Sequence, residues 1–294
     1  MTVINTNTAA TLTANALTKN ERAMSQAMER LSTGQRINSA SDDAAGLAIS
    51  SRMTSQVNGL NMAVRNANDA ISMVQTADGA LVEVTNMLQR MRELGVQAMT
   101  GTLTASDNDA LNVELTALKG GIQDIASDTQ WNGENLLDGS AGATAFQVGA
   151  NASQTISVTF ADLDTVNTNA TAGLFENLDT TTLGDDTEVT HSIAGLSFDD
   201  ATKSADAMIM IDEALTRVNA HRATLGATVN RLEYAADNLA NVSQNTSASR
   251  SRILDADYAS ETTELARTQI IQQAGTAMLS QANQQAQSVL ALLK

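Results

Sequence analysis

The chain has 294 residues, no cysteine, no proline and 2% aromatic residues, with 17 basic against 33 acidic side chains and a formal net charge of −16. That balance argues against nucleic acid and anionic membranes as partners, since both require a positive face, and no run of 18 apolar residues is available to span a bilayer. Without cysteine there is no disulfide framework, thiolate nucleophile or cysteine zinc site.

Hydrophobic residues make up 43% of the chain, drawn mostly from Ala, Leu, Val, Ile and Met. Such side chains suit thin helical layers better than a thick globular core, which aromatic rings normally fill. At ordinary usage roughly 15 prolines are expected in this length. Their absence permits very long uninterrupted helices, because proline costs about 3 kcal/mol in a helix interior. Residues 1–19 lack a basic start followed by an apolar run and a small-residue cleavage site, so no ordinary secretory signal is expected.

Residues 4–32 predict a helix whose apolar face carries Leu12, Leu17, Met24, Met28 and Leu31. Ser32-Thr33-Gly34 is a stop signal with Gly34 past the helix end. Ser41, followed by two acids, is the expected N-cap of the next helix. From 44 to 99 the signal is strongest. Val57, Leu60, Val64, Ala67, Ile71 and Val74 step 3-4-3-4-3, an a/d heptad. The pattern reaches Leu81, steps by three to Val84 as a stammer, and resumes with Leu88, Met91, Gly95 and Ala98. Continuous, this helix would be about 85 Å long at ~1.5 Å per residue.

A short turn leads to a third helix marked by Leu111, Leu115, Leu118, Ile122 and Ile125, which should fold back antiparallel, with a weak point at Gly120-Gly121. From Trp131 the helical period vanishes. Ile156, Val158 and Phe160 alternate with Ser157 and Thr159 as a strand, Phe146 to Val148 is its expected partner, and residues 149–153 are the turn. Residues 162–200 read as loop, short strands or a small surface insertion. The helical period returns near 204 with Ile211, Leu215, Val218, Arg222, Leu225, Val229, Leu232, Ala236 and Leu239, of which Arg222 is polar. A polar interruption is expected at 245–251. The last helix carries Ile271, Met278, Gln285, Val289 and Leu292 on its face, with Ala274 and Ala282 beside it.

The expected fold is mainly α, with long antiparallel coiled-coil rods from both chain ends and a small central insert containing a β-hairpin. The expected divisions are 1–43 pairing with 255–294, 44–164 pairing with 204–254, and a short insert at 165–203. The rod seam is assigned to Val57, Leu60, Val64, Ile71, Val74, Leu215, Val218, Leu225, Val229 and Leu232.

Sites of chemistry are sparse. His191 and His221, the two histidines, show no zinc-peptidase spacing and read as solvated surface groups. Asp42-Asp43 reads as helix capping, and Asp185-Asp186 and Asp199-Asp200 lack the spacing of a calcium loop. Met73, Met87 and Met91 read as adaptable packing. Neither a phosphate-binding glycine loop nor a nucleophile elbow occurs. Neither catalytic activity nor a cofactor or metal is expected.

The run from Glu29 to Ile49, ERLSTGQRINSASDDAAGLAI, closely resembles the N-terminal signature of bacterial flagellins, as does LQRMREL at Leu88 to Leu94. NRL at Asn230 to Leu232, SRSRILDADYA at Ser249 to Ala259 and QANQ at Gln281 to Gln284 are similar to the C-terminal half of the same family. The resemblance implies a subunit that polymerises with its own copies into the flagellar filament outside the cell. It implies export in an unfolded state through a type III channel, and a chaperone, a cap and junction proteins as partners. The terminal helices would form an inner tube, the rods a layer around it, and the insert the outer part. Recognition by a vertebrate innate receptor would fall on Gln89, Arg90, Leu94 and Glu114. A hook–filament junction protein, with similar ends, is the alternative. Because isolated marginal helices do not hold, the terminal helices are expected to order only on assembly.

Overall fold

A computed structural model gives the fold and describes residues 7–163, 173–175, 178 and 192–291, without the side chains of 201 and 285–291. The helices are α1 (Thr8–Thr33), α2 (Ala44–Ala98), α3 (Ala105–Asp128), α4 (Ala201–Leu254) and α5 (Tyr258–Ala291). Two antiparallel hairpins lie between α3 and α4 in the chain, β1 (Gln130–Trp131) with β2 (Glu134–Asn135) and β3 (Ala143–Gln147) with β4 (Thr155–Thr159), followed by a 3-10 turn at Ile193–Gly195. The chain divides into two compact units, residues 1–58 with 243–294, and residues 59–242.

In the first unit, α1 starts on Asn7, whose side-chain oxygen accepts from the Ala10 amide at 3.1 Å. It ends at Gly34, which takes φ 70° and donates its N–H to the Arg30 carbonyl at 2.8 Å. The left-handed backbone there suits glycine because no Cβ opposes it. The segment after α1 lies antiparallel to the segment before α5, with Arg36 N–H on the Leu254 carbonyl at 2.7 Å and Ala256 N–H on the Gly34 carbonyl at 3.0 Å. The N-cap of α2 is Asp43, not Ser41. The helix opens at Ala44, so only the Asp43 carboxylate reaches the Gly46 amide, at 2.8 Å. Gly46 is required there, since a Cβ would lie 2.5 Å from that carboxylate and 2.6 Å from the buried Ile37. Asp42 folds the preceding turn by accepting from the Asn38 and Ser39 amides, which hold its carboxyl below the usual range. The expected interruption at 245–251 is absent, and α4 runs through to Leu254. A polar stretch without glycine or proline does not break a helix whose face is otherwise packed.

In the second unit, α2 buries Ala63, Ala67, Ala70, Val74, Ala77, Leu81, Val84, Leu88, Met91 and Leu94. From Ala63 to Met91 the buried positions step 4-3-4-3 without a fault, so no stammer falls at 81–84. The short step lies instead between Leu60 and Ala63. Val64 and Ile71 are half-buried at the flank, while Ala63 and Ala70 occupy the centre. Small side chains let helix backbones approach, so the alanines rather than the larger β-branched residues set the seam. Helix α4 shows the same one-residue rotation. Ser204, Ala207, Ile211, Ala214, Val218, Leu225, Thr228 and Leu232 are buried, and Leu215 and Val229 pack on the edge of this core. Ion pairs from Arg92 to Asp212 at 2.6 Å and from Arg222 to Asp78 at 2.9 Å fix α2 and α4 antiparallel.

Helix α3 adds Leu111, Leu115, Ile122 and Ala126 to the core and passes through Gly120-Gly121 unbroken, with Gly121 close beneath the Met87 thioether. Asn132 and Gly133, at φ 52° and 85°, make the tight turn of the first hairpin. The second pairs Phe146 with Ile156 and Thr144 with Val158, and buries Val158. Asn112 and Lys119, two turns apart on α3, hold the strand-like run before α4. Asn112 accepts from the Phe198 amide at 2.7 Å, and Lys119 Nζ donates to the carbonyls of Ala194 and Leu196. His191, Asp185-Asp186 and most of the 165–203 insert lie outside the described residues.

Candidate functional site

The site of interest in the first unit is the α1·α5 pair. Along α1 the positions turned inward are Leu17, Asn20, Met24, Ala27 and Leu31, spaced 3-4-3-4, with Asn20 and Ala27 buried. Along α5 they are Leu265, Thr268, Gln272, Gly275, Leu279 and Ala282. Leu17, Met24 and Leu31 turn inward as expected, whereas the other expected face residues with described side chains do not. Leu12 and Met28 are 74% and 55% exposed, and Ile271 and Met278 are 43% and 59% exposed, with Ile270 at 65%. The expected Gln285 and Val289 lie where side chains are not described, and Leu292 lies outside the described residues. The inward seam thus mixes leucines and Met24 with small and polar residues, while further bulky apolar side chains stay exposed outside it. A period of 3.5 has two apolar readings when greasy residues flank small ones, and packing selects the one that lets the helices approach.

Charge divides between the units. Residues 1–58 and 243–294 hold nine basic and eight acidic residues, net +1, and residues 59–242 hold eight basic and 25 acidic, net −17. The terminal helices therefore carry almost no net repulsion between copies, which like-charged surfaces would oppose.

On the second unit, Arg90 lies exposed between two carboxylates, Glu114 of α3 at 2.8 Å and Glu93 at 2.9 Å. Glu114, by its hydrogen bond, holds the Arg90 guanidinium above its usual range, with Glu93 adding to it. Gln89 is exposed beside them and lines a shallow dent with Arg92, Glu93 and Val96. Leu94 is apart from this group, 1% exposed within the core. Three of the four residues expected to meet a receptor are thus surface groups, and the fourth supports α2 from below.

Sequence reasoning placed His221 at the surface. It is half-buried on the α4 seam between Val218 and Leu225, and its Nε2 is sealed from solvent without a hydrogen-bond partner. Burial lowers its pKa. The heptad phase set by Ala214, Val218 and Leu225 would have shown this, had the small residues been weighted with the large. Val57, Leu60, Val74, Val218, Leu225 and Leu232 are buried. Among the described residues no group of His, Cys, Asp or Glu is placed to hold a metal ion, and no helix is long and apolar enough to cross a membrane.

Comparison with known proteins places these features. The family described as bacterial flagellin N-terminal helical region matches residues 4–142, and the bacterial flagellin C-terminal helical region matches residues 208–293. The chain is 44% identical to a flagellin of Bacillus subtilis (strain 168) over 99% of both chains. It is 44% identical to a flagellin of Halalkalibacterium halodurans over 92% of this chain and 91% of that one. Among solved structures, flagellar hook associated protein-3 from Legionella pneumophila superposes with a TM-score of 0.52 over 69% of this chain and 98% of that one. At 17% identity that likeness speaks to fold alone. With both terminal helical regions matched and near-full-length relatives at this identity, the chain belongs to the bacterial flagellin family, the structural subunits of the flagellar filament.

Proposed function

We propose that the outward apolar side chains of α1 and α5 are the contacts through which copies of this chain close over one another in the filament. The observation that carries this reading is the exposure of Leu12, Met28, Ile270, Ile271 and Met278 outside the seam of this helix pair. A two-helix element has no third layer to cover such side chains, and isolated helices of this kind are marginal in water. Assembly supplies the missing layer. The near-neutral charge of this unit allows close approach of copies, and the excess of acids falls in the other unit.

On this reading the subunit leaves the cell unfolded, its terminal helices order as they dock, and it works outside the cell. An export chaperone would hold the same stripes before secretion, and cap and junction proteins would meet them at the filament ends. The chain would carry no catalysis. Host innate recognition would rest on Gln89, Arg90 and Glu114 at the surface, with Leu94 shaping the helix beneath. Hydrogen exchange on the subunit before and after polymerisation tests the core of this proposal. Residues 8–33 and 258–284 should exchange fast in the free subunit and become protected in filaments. Equal protection in both states would refute it.

A further inference from the structure

The α1·α5 seam carries polar residues at its centre, among the leucines and Met24 that an ordinary two-helix seam would have throughout. Asn20 is 8% exposed, and its Nδ2 donates to the Thr268 carbonyl at 2.7 Å and to Gln272 Oε1 at 3.2 Å, using both of its hydrogens. Near one end of the pair Asn7 Nδ2 donates to the Ala282 carbonyl at 3.2 Å, and near the other Arg30 pairs with the largely shielded Glu261 at 3.1 Å. Between them Leu17 fits against Gly275, where a Cβ would lie 2.7 Å from its Cδ2. As the α1 residue rises from 7 to 30, its α5 partner falls from 282 to 261, so every contact reports one antiparallel register.

We propose that Asn20, with Gln272 as its partner, is the residue that specifies this register, at a cost in the stability of the pair. Buried amides in two-helix seams act in this way because every other alignment leaves the amide without a partner. Sliding α5 by one heptad toward either end would bring Leu265 or Leu279 to the place of Gln272. In one direction it would also bring Thr268 opposite Arg30, and in the other it would run α5 past its start at Tyr258, so Arg30 loses Glu261 either way. Among the apolar contacts, Leu17 would leave Gly275 and meet the Cβ of Thr268 or Ala282, which its flexible end must move to accommodate. The polar contacts and the fit of Leu17 on Gly275 both distinguish the registers, and because both cysteine pairs that test this replace Leu17, the test isolates the polar contribution. This goes beyond filament formation. It concerns how the two ends of one chain recognise each other, and its test reads that pairing in filaments, where α1 and α5 are ordered; closure of neither cysteine pair there would count against the ordering of the helices, and closure of the wrong pair against the register.

The absence of cysteine makes the test direct. In filaments of the full chain, the pair Leu17→Cys with Gly275→Cys reports the native register. Leu17→Cys with Ala282→Cys reports a slip of one heptad, about 10 Å along the helix and beyond the ~7 Å reach of a disulfide. After oxidation, intrachain products are separated by mobility under denaturing, non-reducing conditions from chains joined to their neighbours. With Asn20 in place, only the first pair should close. With Asn20→Leu, and also with Asn20→Ala, the second pair should close at comparable yield. Asn20→Leu should leave helicity and thermal stability equal or higher. Cross-linking still confined to the first pair in both variants would overturn the proposal. So would a loss of helicity in Asn20→Leu, which would make the amide a stabilising group rather than a specifying one.

Discussion

Met278 offers the sharpest test of the assembly surface. Its side chain is 59% exposed on α5, one position outside the α1·α5 seam, so replacing it disturbs little inside the subunit. At that exposure it leaves on the order of 100 Å² of apolar surface in water, and covering this by a neighbouring copy is worth about 2 kcal/mol at ~20 cal/mol per Å². Met278→Ser should therefore raise the concentration at which subunits remain unassembled by about 30-fold, since ~1.4 kcal/mol is tenfold in an equilibrium constant. The assay is sedimentation of filaments across a dilution series, with seeds added so that growth rather than nucleation is measured. Thermal melting of the free subunit serves as the control and should not change. Assembly of the variant at the wild-type threshold would show that this face is not covered in the filament, and would send the search to Ile270 and Leu12.

Leu88 is fully buried on the α2 seam, and Leu88→Ala should cost about 2–5 kcal/mol, seen as a lowered melting temperature of residues 59–242. His221 should make stability depend on pH. Its imidazole is held neutral by burial, below its ordinary value near 6.5, so the unfolded chain binds the proton first. Stability is then constant above about pH 6.5, falls as pH drops through that value, and levels off below the folded one. His221→Leu should flatten this step in a melting series, and persistence of the step would place it in another group. Arg90→Ala should leave the melting temperature unchanged, because its ion pairs are exposed, while reducing activation of a vertebrate innate receptor in a reporter-cell assay. Reduced stability together with unchanged activation would contradict that role.

The sequence by itself determined that the chain would be helical at both ends, where the hairpin would fall, and where α1 would stop. These features depend on local rules. A 3.5-residue apolar period needs no tertiary information to announce a coiled coil, Gly34 accepts a backbone that other residues resist, and the alternation at 155–159 allows only a strand. Which face of each helix turns inward was decided by tertiary structure. Ala63 and Ala70 rather than Val64 and Ile71 sit at the centre of α2, Thr268 and Gly275 rather than Ile271 and Met278 on the α5 seam, and His221 rather than Arg222 on α4. Hydrophobicity ranks the larger residue as the inner one. Close packing of two backbones favours the smaller, and sets the larger beside it, where in α5 it remains open to another copy.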